Sequence, residues 1–498
     1  MKYKPVIGLE IHAELKTKTK MFCDSLNDPD EKHPNINVCP ICMGHPGTLP
    51  VINKEAVIKV IMAGLALNCK IAEDTFFERK NYFYPDLPKG YQISQYQKPL
   101  CYEGQLELNG KKFRITRIHL EEDAGRLYHP LSAHSGGGGT RESYSLVDYN
   151  RAGVPLMELV TEPDFETGQE VRDFAQELQL MWKYLGVSDA NMEKGQMRVE
   201  VNISLTNPNG SWGTKVEVKN INSVKFASDA VDYEIKRQAE ILETGEKIKQ
   251  ETRGWDENKK ATVSQRSKEE AHDYRYFPEP DLPPLHFDKK DIEEIRSELL
   301  ELPRQRRERF KKQYSLPDSD IGVFTVNKSL GDYFEYVASE ILSFDKLDHL
   351  KRPEAEHQDK LFKLASNYLI TELGRMVEEV SAEPADTKIS PEMFADLIVR
   401  VFHGEVSSSG AQTVLKEMFV TGNSPGQIIK DKDLEQVSGI EELNLAVERV
   451  IANNSKAVED VKKGNEAPIK FLIGMVMRET KGKANPQIVE EILKNMLK

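Results

Sequence analysis

Between Val6 and Leu15 the side chains alternate strictly, with Leu9, Ile11, Ala13 and Leu15 on one face and Glu10, His12 and Glu14 on the other. That period of two belongs to a strand buried on one side, and a helix, with its 3.6-residue turn, scatters it. The segment commits the N-terminal part of the chain to a sheet and sets carboxylates beside an imidazole. Ile115 to Glu121 alternates in the same way, with Thr116, Ile118 and Leu120 opposing Arg117, His119 and Glu121, and it runs out into Glu122-Asp123-Ala124-Gly125. Around the turn Asn207-Pro208-Asn209-Gly210, the stretch Thr206 to Glu217 reads as a hairpin, with Lys215, Glu217 and Lys219 alternating against Val216 and Val218.

Two helices interrupt these strands. Apolar residues at Val171, Phe174, Ala175, Leu178, Met181, Trp182 and Leu185 predict one over 169–185, stopped by Gly186, and a second runs from about Ala227 to Glu243. The fold class expected is therefore α+β, a mixed body of antiparallel strands and helices over residues 1–290. Pro278, Pro280, Pro283 and Pro284 mark a seam, beyond which short amphipathic helices take over. The basic cluster Arg304 to Lys312 reads as a solvated helix face, and Asn485-Pro486 forms an N-cap and first-turn pair for a last helix. The Gly136 to Gly139 run is a surface excursion with no phosphate-cradle motif around it.

A chain of 498 residues suggests about three domains. No apolar run approaches the roughly 20 residues a membrane span needs, and no secretory leader pattern precedes Val6, so a cytoplasmic protein without a membrane role is expected. The net charge of −13 argues against nonspecific coating of polyanions. Residues 461–498, with 8 basic and 4 acidic side chains, reverse that sign locally, which suits either an RNA contact or an ordinary solvated helix face.

Five cysteines fit a reducing compartment better than a disulfide framework. Cys39-Pro40-Ile41-Cys42 has knuckle spacing, and with Cys23 it offers three thiolates to one zinc ion. A fourth ligand is missing; His33, Asp24 or a water would have to complete it, and the same spacing suits plain reduced thiols.

Glu10, His12, Glu122 and Glu217 form a set of hard oxygen donors plus one imidazole, a set able to hold Mg²⁺ beside a phosphate. A strand face with two acids and a histidine is also commonly just solvated. The loop Arg79 to Tyr91, dense in tyrosines and lysines, suits either a terminal nucleotide or phosphate, or packing over a core. Walker and protein-kinase motifs are absent from the sequence.

The ordered segments VIGLEIHAEL, RKNYFYPDLPKGYQISQ, ITRIHLEEDAGR, SLVDYNRAGVPLMELVTEPD, KNINS and HDYRYFPEPDLPPL resemble the B-subunit (GatB) family of bacterial glutamyl/aspartyl-tRNA amidotransferases. The stretch from Ser407 to Leu497, with GKANPQIVEEIL, resembles that family's tRNA-binding tail, so the likeness covers essentially the whole chain.

The resemblance implies a cradle-like body at 1–290, an all-helical connector at 291–405 and a helical tail at 406–498. It implies a carbon–nitrogen ligase that uses ATP and Mg²⁺ to phosphorylate the side-chain carboxylate of Glu-tRNA(Gln) or Asp-tRNA(Asn), and then amidates it. A partner amidase, the A subunit, supplies ammonia from glutamine; a small C subunit makes up the heterotrimer, and misacylated tRNA is the substrate. By motif position the resemblance makes Glu10, His12, Glu122 and Glu217 catalytic, with Glu10, His12 and Glu122 on magnesium. Tyr82, Lys80 and Lys89 would line the substrate pocket, the lysines along the ammonia path or on phosphate.

The chain departs from the family pattern at Cys23-Asp24-Ser25, where a CxC pair is usual, and at Glu200, where aspartate is. It shows no convincing glutaminase nucleophile, in keeping with a partner performing that step.

Overall fold

The alternating N-terminal segment forms the strand Pro5–Glu14 (β1), which lies inside a nine-stranded sheet. The others are Lys70–Ile71 (β2), Cys101–Leu108 (β3), Lys111–Glu122 (β4), Pro155–Thr161 (β5), Met197–Leu205 (β6), Val216–Lys219 (β7), Glu251–Asp256 (β8) and Ala261–Ser267 (β9). Their spatial order is β9-β8-β7-β6-β1-β5-β4-β3-β2. This computed structural model describes residues 3–128, 144–207, 210–267, 273–343, 357–435, 440–462, 467–480 and 483–497. The Gly136–Gly139 run and the middle of the turn at Pro208 and Asn209 lie outside the described residues.

Neighbouring strands pair antiparallel except β7 and β8, which are parallel. The helix Val224–Glu243 connects that parallel pair, as a crossover must. Its first turn is capped by the Ser223 hydroxyl, which accepts from the Phe226 N–H. The helix Gly168–Tyr184 packs on it, with Thr167 as its cap; a side chain at Gly168 would meet the Ser228 carbonyl at 2.5 Å, so only glycine permits that approach. Together with the helix Lys54–Ala66, these helices cover the apolar face of the sheet. Leu9, Ile11 and Ala13 of β1 are buried there alongside Met157 and Leu159 of β5, Val199 and Val201 of β6, and Val216 and Val218 of β7. The expected alternation of β1 and of the β6–β7 hairpin is thus the alternation observed.

Thr116 corrects the reading of β4. Alternation puts it on the apolar face with Ile118 and Leu120, yet it is exposed, and its hydroxyl donates to Glu162 at 2.8 Å. The register slips at this point, with Val160 opposite Arg117 and Thr161 opposite Ile115. Thr116 is the extra residue of a bulge, and Ile115 takes the core position.

A three-stranded sheet of Phe277–Pro278, Glu78–Asn81 and Tyr91–Ser94 runs beside the end of β4. It is pinned by Arg79, which donates from Nε and Nη2 to the two oxygens of the fully buried Glu279 at 2.6 and 2.7 Å.

The chain divides into two units, Met1–Pro303 and Arg304–Lys498. The division falls beyond the seam expected near residue 290 because Ile292, Ile295, Leu299 and Leu302 pack against the core of the first unit. The second unit is helical among the described residues and holds two apolar clusters. One runs from Phe310 to Ile429 and the other from Leu443 to Leu497. The helices Ser408–Thr421 and Pro425–Asp431 contribute Ala411, Val414, Leu415, Met418, Ile428 and Ile429 to the first cluster, so the 405/406 boundary expected for a tail runs through a shared core. Among the described residues, no helix is long and apolar enough to cross a membrane.

Candidate functional site: an acid–imidazole row on the polar face

Residues paired directly across antiparallel strands share a face, so register alone assembles the site. Arg198 of β6 stands opposite His12 of β1, His12 opposite Glu158 of β5, and Glu158 opposite His119 of β4. One step along, Glu200 stands opposite Glu10, and Asn202 opposite Glu217. All of these side chains lie on the face that the helices leave uncovered.

The His12 Nε2 lies 3.5 Å from Glu158, 3.7 Å from Glu121 and 3.8 Å from Glu10. The His119 Nε2 reaches the same Glu158 oxygen at 3.5 Å and Glu121 at 3.8 Å. Three overlapping sets, Glu10–His12–Glu158, His119–Glu121–Glu158 and Glu10–Glu200–Glu217, each bring their donor atoms within 4.8 Å of one another. Both imidazoles keep a buried Nδ1 without a hydrogen-bond partner among the described residues. Carboxylate oxygens converging at this spacing, with one imidazole in each of two of the sets, fit a divalent cation.

Electrostatics follow from the burial. For His12 desolvation alone favours the neutral ring, but the Glu158 hydrogen bond and the charges of Glu158, Glu121 and Glu200 overcome it and raise the ring to about 9. Burial disfavours ionised Glu158, yet His119, His12 and Lys80 hold it well below the usual carboxylate range. Glu10 is pushed up, by burial first and then by Glu158. Cations ring this acidic centre. Lys219 bridges Glu200 at 2.6 Å and Glu217 at 3.4 Å, and Arg117 lies 3.6 Å from Glu158. Lys80, desolvated but held charged chiefly by Glu121, packs over the Tyr274 and Tyr82 rings at 5.2 and 5.9 Å.

The structure therefore brings together Glu10, His12, Glu217, Lys80 and Tyr82 of the residues singled out in the sequence. It does not bring in Glu122. The preceding residue, Glu121, faces the histidines, while Glu122 points off the other side of β4 and accepts from Lys89 Nζ at 2.6 Å and from the Ile93 N–H at 2.9 Å. The metal set expected from Glu10, His12 and Glu122 is corrected accordingly, and Lys89 goes with Glu122 to its ion pair. Sequence reasoning passed over Glu121 and His119, although their parity in ITRIHLEED marked the face. Glu158 was masked by the apolar run PLMELV, because β5 is buried on both faces.

The Cys23, Cys39 and Cys42 sulfurs also lie within 4.8 Å of one another. His33 is not a fourth ligand; it is exposed and pairs with Glu31 at 2.9 Å. The buried Lys20 ammonium, 3.8 Å from the Cys42 sulfur, occupies that side of the cluster, with Ser25 at 3.9 Å. The hydrogen bond from Cys23, aided by Lys20 and the Cys39 N–H, lowers Cys42 to about 4 against the effect of burial. Three thiols with one held toward thiolate fit zinc, with an ammonium to offset the charge.

Two family models cover this architecture. Residues 5–293 match the GatB/GatE catalytic domain and residues 354–497 match the GatB domain, which places the chain among the tRNA-dependent amidotransferases, enzymes of ligase type. Within that class, the chain belongs to the family of the aspartyl/glutamyl-tRNA(Asn/Gln) amidotransferase B subunit. It is 48% identical to the Caldicellulosiruptor saccharolyticus protein of that name over 100% of this chain and 99% of the relative. It is 46% identical to the Thermotoga petrophila and Thermotoga maritima proteins, again over 100% of this chain and 99% of each relative.

Proposed function

We propose that this chain activates and amidates the side-chain carboxylate of Glu-tRNA(Gln), Asp-tRNA(Asn) or both, in the cytoplasm. A carboxylate oxygen bonds to the γ-phosphorus of ATP as ADP leaves; ammonia then attacks the carbonyl carbon, and phosphate leaves as the amide forms. A free carboxylate has no adequate leaving group for ammonia, and the acyl phosphate supplies one. Because that intermediate is water-sensitive, the reaction needs shielding from water, and the burial of His119, Glu121 and Glu158 supports that reading.

Glu10, His12 and Glu158, with the adjoining set His119, Glu121 and Glu158, would hold magnesium, which offsets phosphate charge when bound. Lys80 keeps a positive charge next to the acids, and Tyr82 lies beside it. Ammonia comes from glutamine through a partner amidase, the A subunit, and a small C subunit makes up the heterotrimer. A zinc ion on Cys23, Cys39 and Cys42 belongs to the same reading, in a structural role.

The observation that carries this reading is the unbroken row Arg198, His12, Glu158, His119 across four strands. The test is the assembled complex given misacylated tRNA, ATP, Mg²⁺ and ammonia in place of glutamine. Wild type is expected to form amide, and Glu10→Gln and Glu158→Gln to lose it. Full ammonia-dependent turnover in both variants would reduce the chain to an RNA-binding scaffold.

A further inference from the structure

Of the cations around the acidic centre, three have evident local duties. Lys219 is spent on Glu200 and Glu217, Lys80 lies over tyrosine rings, and Arg117 sits between Glu158 and the Tyr96 ring, 6.0 Å from its centre. Arg198 is held differently. Its Nη1 and Nη2 donate to the two oxygens of Asp123 at 3.1 and 3.2 Å, a two-point attachment that fixes the plane of the guanidinium.

The anchor is itself immobilised. Asp123 is buried, its N–H donates to the Val154 carbonyl at 2.8 Å, and its carbonyl accepts from Gly153 at 2.9 Å. Its Oδ1 accepts from the Ala124 N–H at 2.9 Å, and Arg151, which also donates to the Ala124 and Gly125 carbonyls, stands 3.6 Å from Oδ2. A guanidinium has five N–H donors, and Asp123 engages one on each terminal nitrogen. Its side chain is 31% exposed, and its backbone position stands directly opposite His12 in the strand register.

We propose that Arg198 contacts the phosphoryl oxygens of the nucleotide substrate in this site, and that Asp123 is a positioning residue for it; this rests on the activation reading given above. Phosphoryl transfer spreads negative charge over three equatorial oxygens, and a planar fork already fixed in orientation meets that charge without reorganising. Arg198 neither gains nor loses a proton as the carboxylate–phosphorus bond forms and the bond to the departing ADP oxygen breaks. A lysine supplies the charge but not the fork.

The test compares retention of Mg²⁺–ADP–aluminium fluoride, which mimics the transferring group, with affinity for the nonhydrolysable analogue AMP-PNP, in the assembled complex. Arg198→Lys keeps a cation against Asp123 and so guards against simple unfolding. It is expected to weaken aluminium-fluoride retention roughly tenfold or more while changing AMP-PNP affinity by less than about threefold. Asp123→Asn should move the same readout in the same direction, and added guanidinium should partly restore turnover to Arg198→Ala. Equal retention by Arg198→Lys and wild type, with melting temperatures matched, overturns the proposal alone. Failure of the wild-type complex to hold either nucleotide overturns the activation reading beneath it.

Discussion

Lys89 and Glu122 form a nearly enclosed ion pair, 2.6 Å long, with side chains only 12% and 5% exposed. The lysine also lies over the Phe22 and Tyr91 rings at 5.9 and 5.6 Å, so the pair joins the segment ahead of Cys23 to the end of β4. Its partners make it a clasp on the side of the strand away from the histidines. Lys89→Met is expected to strand the Glu122 charge and cost about 3–5 kcal/mol in denaturant unfolding. Glu122→Gln should destabilise the chain while leaving magnesium affinity within about twofold, as read by calorimetry. A loss of magnesium binding without a stability change would return Glu122 to the metal set.

Glu158 touches both histidines, so its removal should be felt more widely than that of Glu10. Glu158→Gln is expected to lower ammonia-dependent turnover by about a hundredfold or more and to weaken magnesium binding, with the helical second unit unaffected in far-UV circular dichroism. Glu121→Gln should do the same, whereas a variant at neighbouring Glu122 should not.

The Arg79–Glu279 pair ties Glu78–Asn81 to Phe277–Pro278 across 200 residues of sequence. Glu279→Ala leaves a guanidinium half enclosed by the Tyr91 and Phe277 rings and should cost about 3–5 kcal/mol. Since Lys80 belongs to the same short strand, the variant should also raise the KM for tRNA.

Metal analysis of the purified chain should find one zinc bound through Cys23, Cys39 and Cys42, and Cys42→Ser should abolish it. Cys69, which burial pushes up to about 12, and Cys101, likewise raised by burial, should resist alkylation at pH 8 until the chain is denatured. Zinc content unchanged in Cys42→Ser would remove the thiol site from this account.

Truncation separates the two apolar clusters of the second unit. Ending the chain after Glu435 spares the cluster from Phe310 to Ile429, and is expected to weaken tRNA binding while leaving the remaining helices folded. Ending it before Ser407 removes Val414, Leu415 and Met418 from a shared core and should unfold the connector, visible as lost helicity and protease sensitivity.

Which of these features were legible in sequence depended on how many faces of a strand are buried. In β1, apolar and polar faces differ, and Glu10 and His12 announced themselves by alternation. In β5, Leu156, Met157 and Leu159 are all buried, so Glu158 sat unmarked in an apolar run. The bulge at Thr116 shifted parity by one residue, a change that no periodicity records. Pairing Arg198 with His12 required strand order, and local patterns say nothing about which strand lies next to β1.

That strand order bears on how the molecule comes to exist. Pro5 is registered against Leu205, and Glu10 against Glu200, so β1 waits for a strand that emerges nearly two hundred residues later. Until then one edge of β1 stays unpaired, and closing so long a loop is slow relative to local helix formation. An unpaired strand edge on the nascent chain should invite chaperones early, and the acid–imidazole row should assemble only once the strands up to Lys219 have emerged.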